Sequence, residues 1–215
     1  MPARTYHDWL NEVPLMDHKS NLTWRLRNAE LRGAATAAGY PGLLFSNNEY
    51  GLGSGSNLIN FTRFSKSLVV VEFAMELFIG NFTSSAYWDS AAPDGTDQML
   101  MDRRHGNRFN PSHFGLEMLF QSAGNELYNL TTSERRVHGF CAAAPRSTNT
   151  TCYLINKLEK PAIVAIGGAR CASGVQVASL VDTADHWGTV QLTNMSSCDS
   201  IPLPAVSFSK LELIG

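Results

Sequence analysis

The sequence has no surplus of positive charge. Its 17 lysines and arginines stand against 19 aspartates and glutamates, a formal net charge of −2. Without a basic field to hold a polyanion, nucleic acid is not an expected partner. No apolar run reaches the length of a membrane span, because the longest, Ser67–Gly80, contains Glu72 and Glu76. The opening residues, MPARTYHDWLNEVP, lack the apolar centre of a signal peptide. The histidines show no paired metal-ligand spacing, so no metal is expected. The glycine-serine stretch GLGSGS at 51–56 lacks both the lysine of a phosphate-binding loop and the spacing of a dinucleotide fingerprint, so no cofactor is expected.

Cysteine is absent before Cys141, yet four follow: Cys141, Cys152, Cys171 and Cys198. An even number crowded into one end of a chain suggests two disulfides and an oxidising compartment. Six N-x-S/T sequons, at Asn21, Asn60, Asn81, Asn129, Asn149 and Asn194, point the same way. The expectation is an extracellular, secreted glycoprotein whose own N-terminus and signal peptide precede Met1. At 215 residues, 44% of them hydrophobic and 17% charged, the chain is an ordered globular protein of one large or two small domains.

The two parts of the chain follow different patterns. Up to about Leu130, helical and strand-like segments alternate. Thr23–Ala38 reads as a helix with a partial apolar face, stopped by Gly39-Tyr40-Pro41-Gly42. Leu43–Phe45 reads as a short buried strand running towards Glu49. Phe61–Ile79 reads as a long helix, apolar on nearly all sides, which therefore expects neighbours on several faces. Asn81–Trp88 reads as a strand, Asp89–Asn107 as a polar loop, and Pro111–Ser122 as a helix with Asn110 at its cap and Pro111 in its first turn. This is the grammar of βα repeats around a parallel sheet, an arrangement that needs cover on both faces. From Glu134 on, six short strand candidates follow without a helix: Val137–Ala143, Cys152–Asn156, Ala162–Ile166, Val175–Leu180, Thr189–Leu192 and Ser207–Ile214. Turn chemistry at Leu158–Pro161, Gly167-Gly168 and Pro202–Pro204 separates them, which predicts an antiparallel β-sandwich. The expected domains are 1–130 (α/β) and 131–215 (all-β). A hairpin turn at Arg146–Asn149 would set Cys141 opposite Cys152 and leave Cys171 for Cys198, one of three pairings open to four cysteines.

The order of these motifs resembles the C-terminal part of a retaining glycoside hydrolase built from a (β/α)8 barrel with an appended sandwich, as in heparanases, arabinofuranosidases, β-xylosidases and agarases. CYLINKLEKPAIVAIGG is similar to a recurring hairpin of those enzymes, IPLPAVSFSKLELI to their closing strand, and FGLEMLFQSAGNEL to their last barrel helix. The resemblance runs from about residue 20 to the end. It implies an incomplete barrel of about two strands and flanking helices, followed by the sandwich, with carbohydrate as the partner.

In that family the nucleophile is a glutamate at the end of the seventh barrel strand. The resemblance places this strand at Leu43–Asn48 and the nucleophile at Glu49. Tyr50 could orient the carboxylate and Trp88, ending the eighth strand, could stack on a sugar. Tyr6–Trp9 would match the sixth-strand region, with His7 near the sugar. Alone, a glutamate beside a glycine-rich loop is an ordinary surface residue, Trp88 an ordinary core residue and His105 a solvated one. The family's acid/base, a glutamate preceded by asparagine at the end of the fourth strand, has no counterpart here, since Asn11-Glu12 and Asn125-Glu126 are not set after a barrel strand. Glycosidase chemistry needs two carboxyl groups, so the chain alone is expected to be inactive. The alternative is a non-catalytic carbohydrate-binding or extracellular assembly module descended from such an enzyme, and a third reading is an unrelated α+β binding protein. Under either of the first two, another chain or copy would complete the barrel and bury the apolar helix Phe61–Ile79.

Overall fold

The computed structural model describes residues 4–13, 15–17, 22–50, 58–82, 84–87, 100–168, 171 and 173–214. Only the backbone is described at residues 4, 16, 17, 48–50 and 84–87. In chain order the elements are β1 (Arg4–Thr5), α1 (Tyr6–Asn11), β2 (Met16–Asp17), β3 (Leu22–Thr23), α2 (Trp24–Ala37), β4 (Ser46–Tyr50), β5 (Leu58–Ile59), α3 (Arg63–Ile79) and β6 (Ser84–Tyr87). Then come β7 (Met101–Asp102), a 3-10 turn at Arg103–His105, β8 (Arg108–Phe109) and α4 (Pro111–Phe120). The last part holds strands alone: β9 (Glu126–Asn129), β10 (Val137–Ala143), β11 (Thr150–Asn156), β12 (Ala162–Val164), β13 (Gly174–Val181), β14 (Thr189–Met195), β15 (Ile201–Leu203) and β16 (Ser207–Ile214).

Six of the late strands form one antiparallel sheet in the order β14-β13-β16-β11-β10-β9. Side chains alternate across a strand, so one sheet can feed two cores. Along β11, Cys152 and Leu154 face one core, while Tyr153 and Ile155 face the other. The first core adds Phe140, Leu180 and Phe208 from the sheet to the apolar faces of α3 and α4. The second is closed by the small antiparallel pair β12–β15, which contributes Ile201 and Leu203. Burial on both sides explains why the inner strands β11 and β13 carry apolar side chains on both faces. Disulfides join Cys141 to Cys152, directly paired across β10 and β11, and Cys171 to Cys198.

Thr62 starts α3 by accepting a hydrogen bond from the Ser65 amide at 3.1 Å. Twelve of the helix's positions are buried, and the chain itself covers them. The sheet and α4 lie along one side, and Trp9, Trp24 and Phe82 lie along others. The expectation that this helix must wait for a second chain is thus corrected: its apolar surface is used internally. At the crossing of α3 and α4, Gly115 admits the Val71 side chain into space that a Cβ would occupy.

Three further expectations change. Leu43–Phe45 is not a buried strand, since Leu43 and Leu44 are 50% and 65% exposed, and the strand begins instead at Ser46. The stretch expected to match the sixth strand is the helix α1, because Thr5 and Asp8 close a capping box around its first turn. Pro202 lies in β15 rather than in a turn. A proline is tolerated in a strand paired on one side only, and Ile201 and Leu203 are buried around an exposed Pro202. β9, which has no strand signal in the sequence, adds the outermost strand of the large sheet.

Candidate active site

β4 and β6 run parallel and adjacent. Their register pairs Ser46 with Ser84 and Asn47 with Ser85, then Tyr50 with Tyr87. Three steps along β4 therefore match two along β6, so the extra residue falls at Asn48–Glu49. A bulge of this kind bends a strand and redirects its side chains, and such bulges gather beside active sites. Glu49 thus occupies the irregular C-terminal end of β4, next to the Tyr50–Tyr87 pair. The side chains of Glu49 and Tyr50, together with Trp88, lie outside the described residues. His7 is exposed on α1, where its ring Nε2 lies 3.3 Å from the Asn11 amide nitrogen.

The chain leaves β4 to enter α3 and leaves β6 to enter α4. A polar assembly is built at the starts of these two helices. The Arg63 guanidinium donates to Asp102 at 2.8 Å and to Asn110 at 2.5 Å. Buried Asp102 also accepts the backbone amides of Arg104 at 2.9 Å and His105 at 3.2 Å, and faces His105 Nδ1 at 2.9 Å. Burial alone would raise the Asp102 pKa, but the Arg63 and His105 contacts outweigh it and hold the carboxyl ionised below the usual range. Trp187, from the β13–β14 connection, receives both Arg63 and Arg108, whose guanidinium carbons lie 4.0 and 4.2 Å from its ring centre. Arg108 in turn reaches Asp185 at 3.3 Å. One carboxylate and one indole thus fasten the start of α3, the turn after β7 and the sheet. The His105 ring is more than half exposed, as expected of a solvated loop residue, while its Nδ1 faces Asp102.

A second assembly lies on the other side of α3, against the sheet. Glu72 and Lys157 are fully buried. The Lys157 ammonium donates to both Glu72 oxygens at 2.9 and 3.0 Å and to the Glu12 carbonyl at 2.5 Å. Trp9 Nε1 donates to Glu72 at 2.6 Å, and His138 Nε2 approaches Glu72 at 3.2 Å. Burial pushes the Glu72 pKa up, but Lys157 and His138 override this and lower it to about 2. One helical turn on, Glu76 has no lysine partner. Burial and the neighbouring Glu72 charge raise its pKa to about 8.

Among the described residues, no group of three or more His, Cys, Asp or Glu side chains could hold a metal ion, and no helix is long and apolar enough to cross a membrane. Asn60, Asn81, Asn129, Asn149 and Asn194 are all exposed, and Asn21 lies outside the described residues.

Solved structures share this fold at low sequence identity. A family 30 endoxylanase from Clostridium papyrosolvens superposes with a TM-score of 0.62 at 14% identity, over 90% of this chain and 47% of that one. This chain has a glycoside hydrolase-like fold. A family 44 xyloglucanase from Paenibacillus polymyxa gives a TM-score of 0.60 at 14% identity, over 87% of this chain and 35% of that one. An exported protein from Bacteroides fragilis gives 0.62 at 10% identity, over 88% and 42%. The chain spans less than half the length of these structures. No protein family and no curated protein matches the sequence.

Proposed function

We propose that the chain is the C-terminal portion of a secreted retaining glycoside hydrolase acting on an oligo- or polysaccharide, with Glu49 as its nucleophile. The observation that carries this reading is the place of Glu49: the bulged C-terminal end of a parallel strand within a fold shared with glycosidases. Strand ends of this kind present chemistry on a rigid element below adaptable loops. On this reading β4, β6, α3 and α4 are the closing βα units of a (β/α)8 barrel, residues 1–130. The large sheet and β12–β15 form the appended sandwich, residues 131–215. The Glu49 carboxylate would attack the anomeric carbon while a second carboxyl group, carried by residues outside this chain, protonates the departing oxygen. Water would then release the sugar from Glu49. Tyr50 would steady the carboxylate, Trp88 would stack on a sugar ring, and His7, exposed on α1, would line the approach. The two disulfides and the exposed sequons fit an extracellular protein carrying N-glycans.

A second reading is a carbohydrate-binding or assembly module that kept the scaffold without the reaction. Sequencing the transcript upstream of Met1 separates the two. The enzyme reading expects an open frame with a signal peptide and further βα units, one ending in Asn-Glu. A stop codon directly upstream, with no second chain supplying those units, would reject it.

A further inference from the structure

Between α2, α3 and β10 lies a recess of about 280 Å³ that the proposed chemistry does not use. Val13, Ile79 and Leu130 form its apolar wall, and the Glu76 carboxyl and His138 ring form its polar end. Glu76 is 2% exposed. Among the described residues, His138 Nε2 approaches its carboxylate at 4.0 Å and no hydrogen bond reaches it. His138 Nδ1 is likewise buried without a partner among the described residues.

Among the described residues, the charges around this recess leave one carboxylate without a dedicated cation. From α3 come Glu72 and Glu76, from β10 His138, from the end of β11 Lys157, and from α2 Arg25. Lys157 is committed to Glu72 by two hydrogen bonds. Arg25, on the exposed rim, acts on Glu76 only through space. A buried carboxylate without a cation must carry a proton or receive a cation from outside. The recess offers both a place for that cation and an apolar wall for what is attached to it.

We propose that this recess binds a small organic ammonium, its cationic nitrogen on Glu76 beside His138 and its short alkyl portion against Val13, Ile79 and Leu130. Binding exchanges the carboxyl proton for the ligand's charge, so the proton leaves to solvent as the ion pair forms. The site stands apart from the β4–β6 strand ends and does not depend on the glycosidase reading.

Calorimetric titration of the protein with n-butylammonium chloride tests this. The expected result is one saturable site that releases about one proton per ligand at pH 7, read from the dependence of the heat on buffer ionisation. Because Glu76 titrates near pH 8, the apparent affinity should tighten about tenfold between pH 7 and pH 9. Glu76→Gln, which mimics the protonated carboxyl and so should fold, should weaken binding at least tenfold and abolish proton release. Ile79→Trp, filling the wall, should weaken binding with Glu76 intact. Absence of saturable binding, equal binding of neutral n-butanol, unchanged affinity in Glu76→Gln or affinity that does not rise with pH would each overturn the proposal.

Discussion

Replacing Lys157 by methionine should destabilise the protein strongly, although the side chain is nearly the same size and already buried. The ammonium makes three hydrogen bonds, two to Glu72 and one to the Glu12 carbonyl, and lies 4.8 Å from the Trp9 ring centre. Without it, Glu72 remains fully buried as an unmatched carboxylate. Breaking a buried pair from one side costs about 3–5 kcal/mol, because the surviving charge loses its counterion without regaining water. For a chain of this length, each kcal/mol moves the melting temperature by about 2–4 °C, so the expected fall is about 6–20 °C. Thermal and urea unfolding followed by circular dichroism would read it. Glu72→Gln in the same chain removes the stranded charge and keeps an oxygen for the Trp9 indole. The double variant should therefore be more stable than Lys157→Met alone. If the two losses simply add, Glu72 and Lys157 are not coupled and the account of this cluster is wrong.

Stability should fall off on both sides in pH. Glu72, lowered from 4.5 to about 2, contributes stability that is present above pH 4.5 and lost as pH drops towards 2, and Glu72→Gln should flatten that acid limb in urea midpoints. Glu76, raised from 4.5 to about 8, contributes stability that is complete below pH 4.5 and lost as pH rises through 8, so Glu76→Gln should remove the decline over that window. Gly115→Ala, whose new methyl would meet Val71 where α3 and α4 cross, should cost about 1–3 kcal/mol by chemical denaturation. Removing the Cys141–Cys152 bridge by paired serine substitution should cost about 3 kcal/mol, and removing Cys171–Cys198, which closes a longer loop, somewhat more. The reverse order would mean that loop entropy does not govern the difference.

The larger elements were legible because their signals are local. α2, α3 and α4 follow from capping residues, apolar periodicity and the Asn110-Pro111 start. β10, β11, β13, β14 and β16 follow from apolar runs between turn residues. What escaped depends on contacts distant in sequence. β9 is exposed at every position and is a strand only because β10 pairs with it. Pro202 in β15 hid a buried-exposed-buried pattern that requires β12 as its partner. Leu43 and Leu44 are apolar yet exposed, so composition placed a strand three residues too early. At the candidate site, the proposed role of Glu49 rests on its context in the sequence and on the strand end it occupies. The Arg63–Asp102–Trp187 assembly could not, because its members lie 39 residues apart or more. The same holds for Glu72 and Lys157, 85 residues apart, where the sequence showed a helix too apolar for water but not the ion pair inside it.

Covalent trapping would show whether Glu49 acts as the proposed glycosidase nucleophile. The natural full-length protein would be incubated with a panel of 2-deoxy-2-fluoroglycosyl fluorides, which form the glycosyl-enzyme but release it slowly, and its peptides examined by mass spectrometry. A fluorosugar ester on Glu49, absent in Glu49→Gln, is the predicted result. A protein that hydrolyses glycosides yet carries the label on another carboxylate would contradict the account.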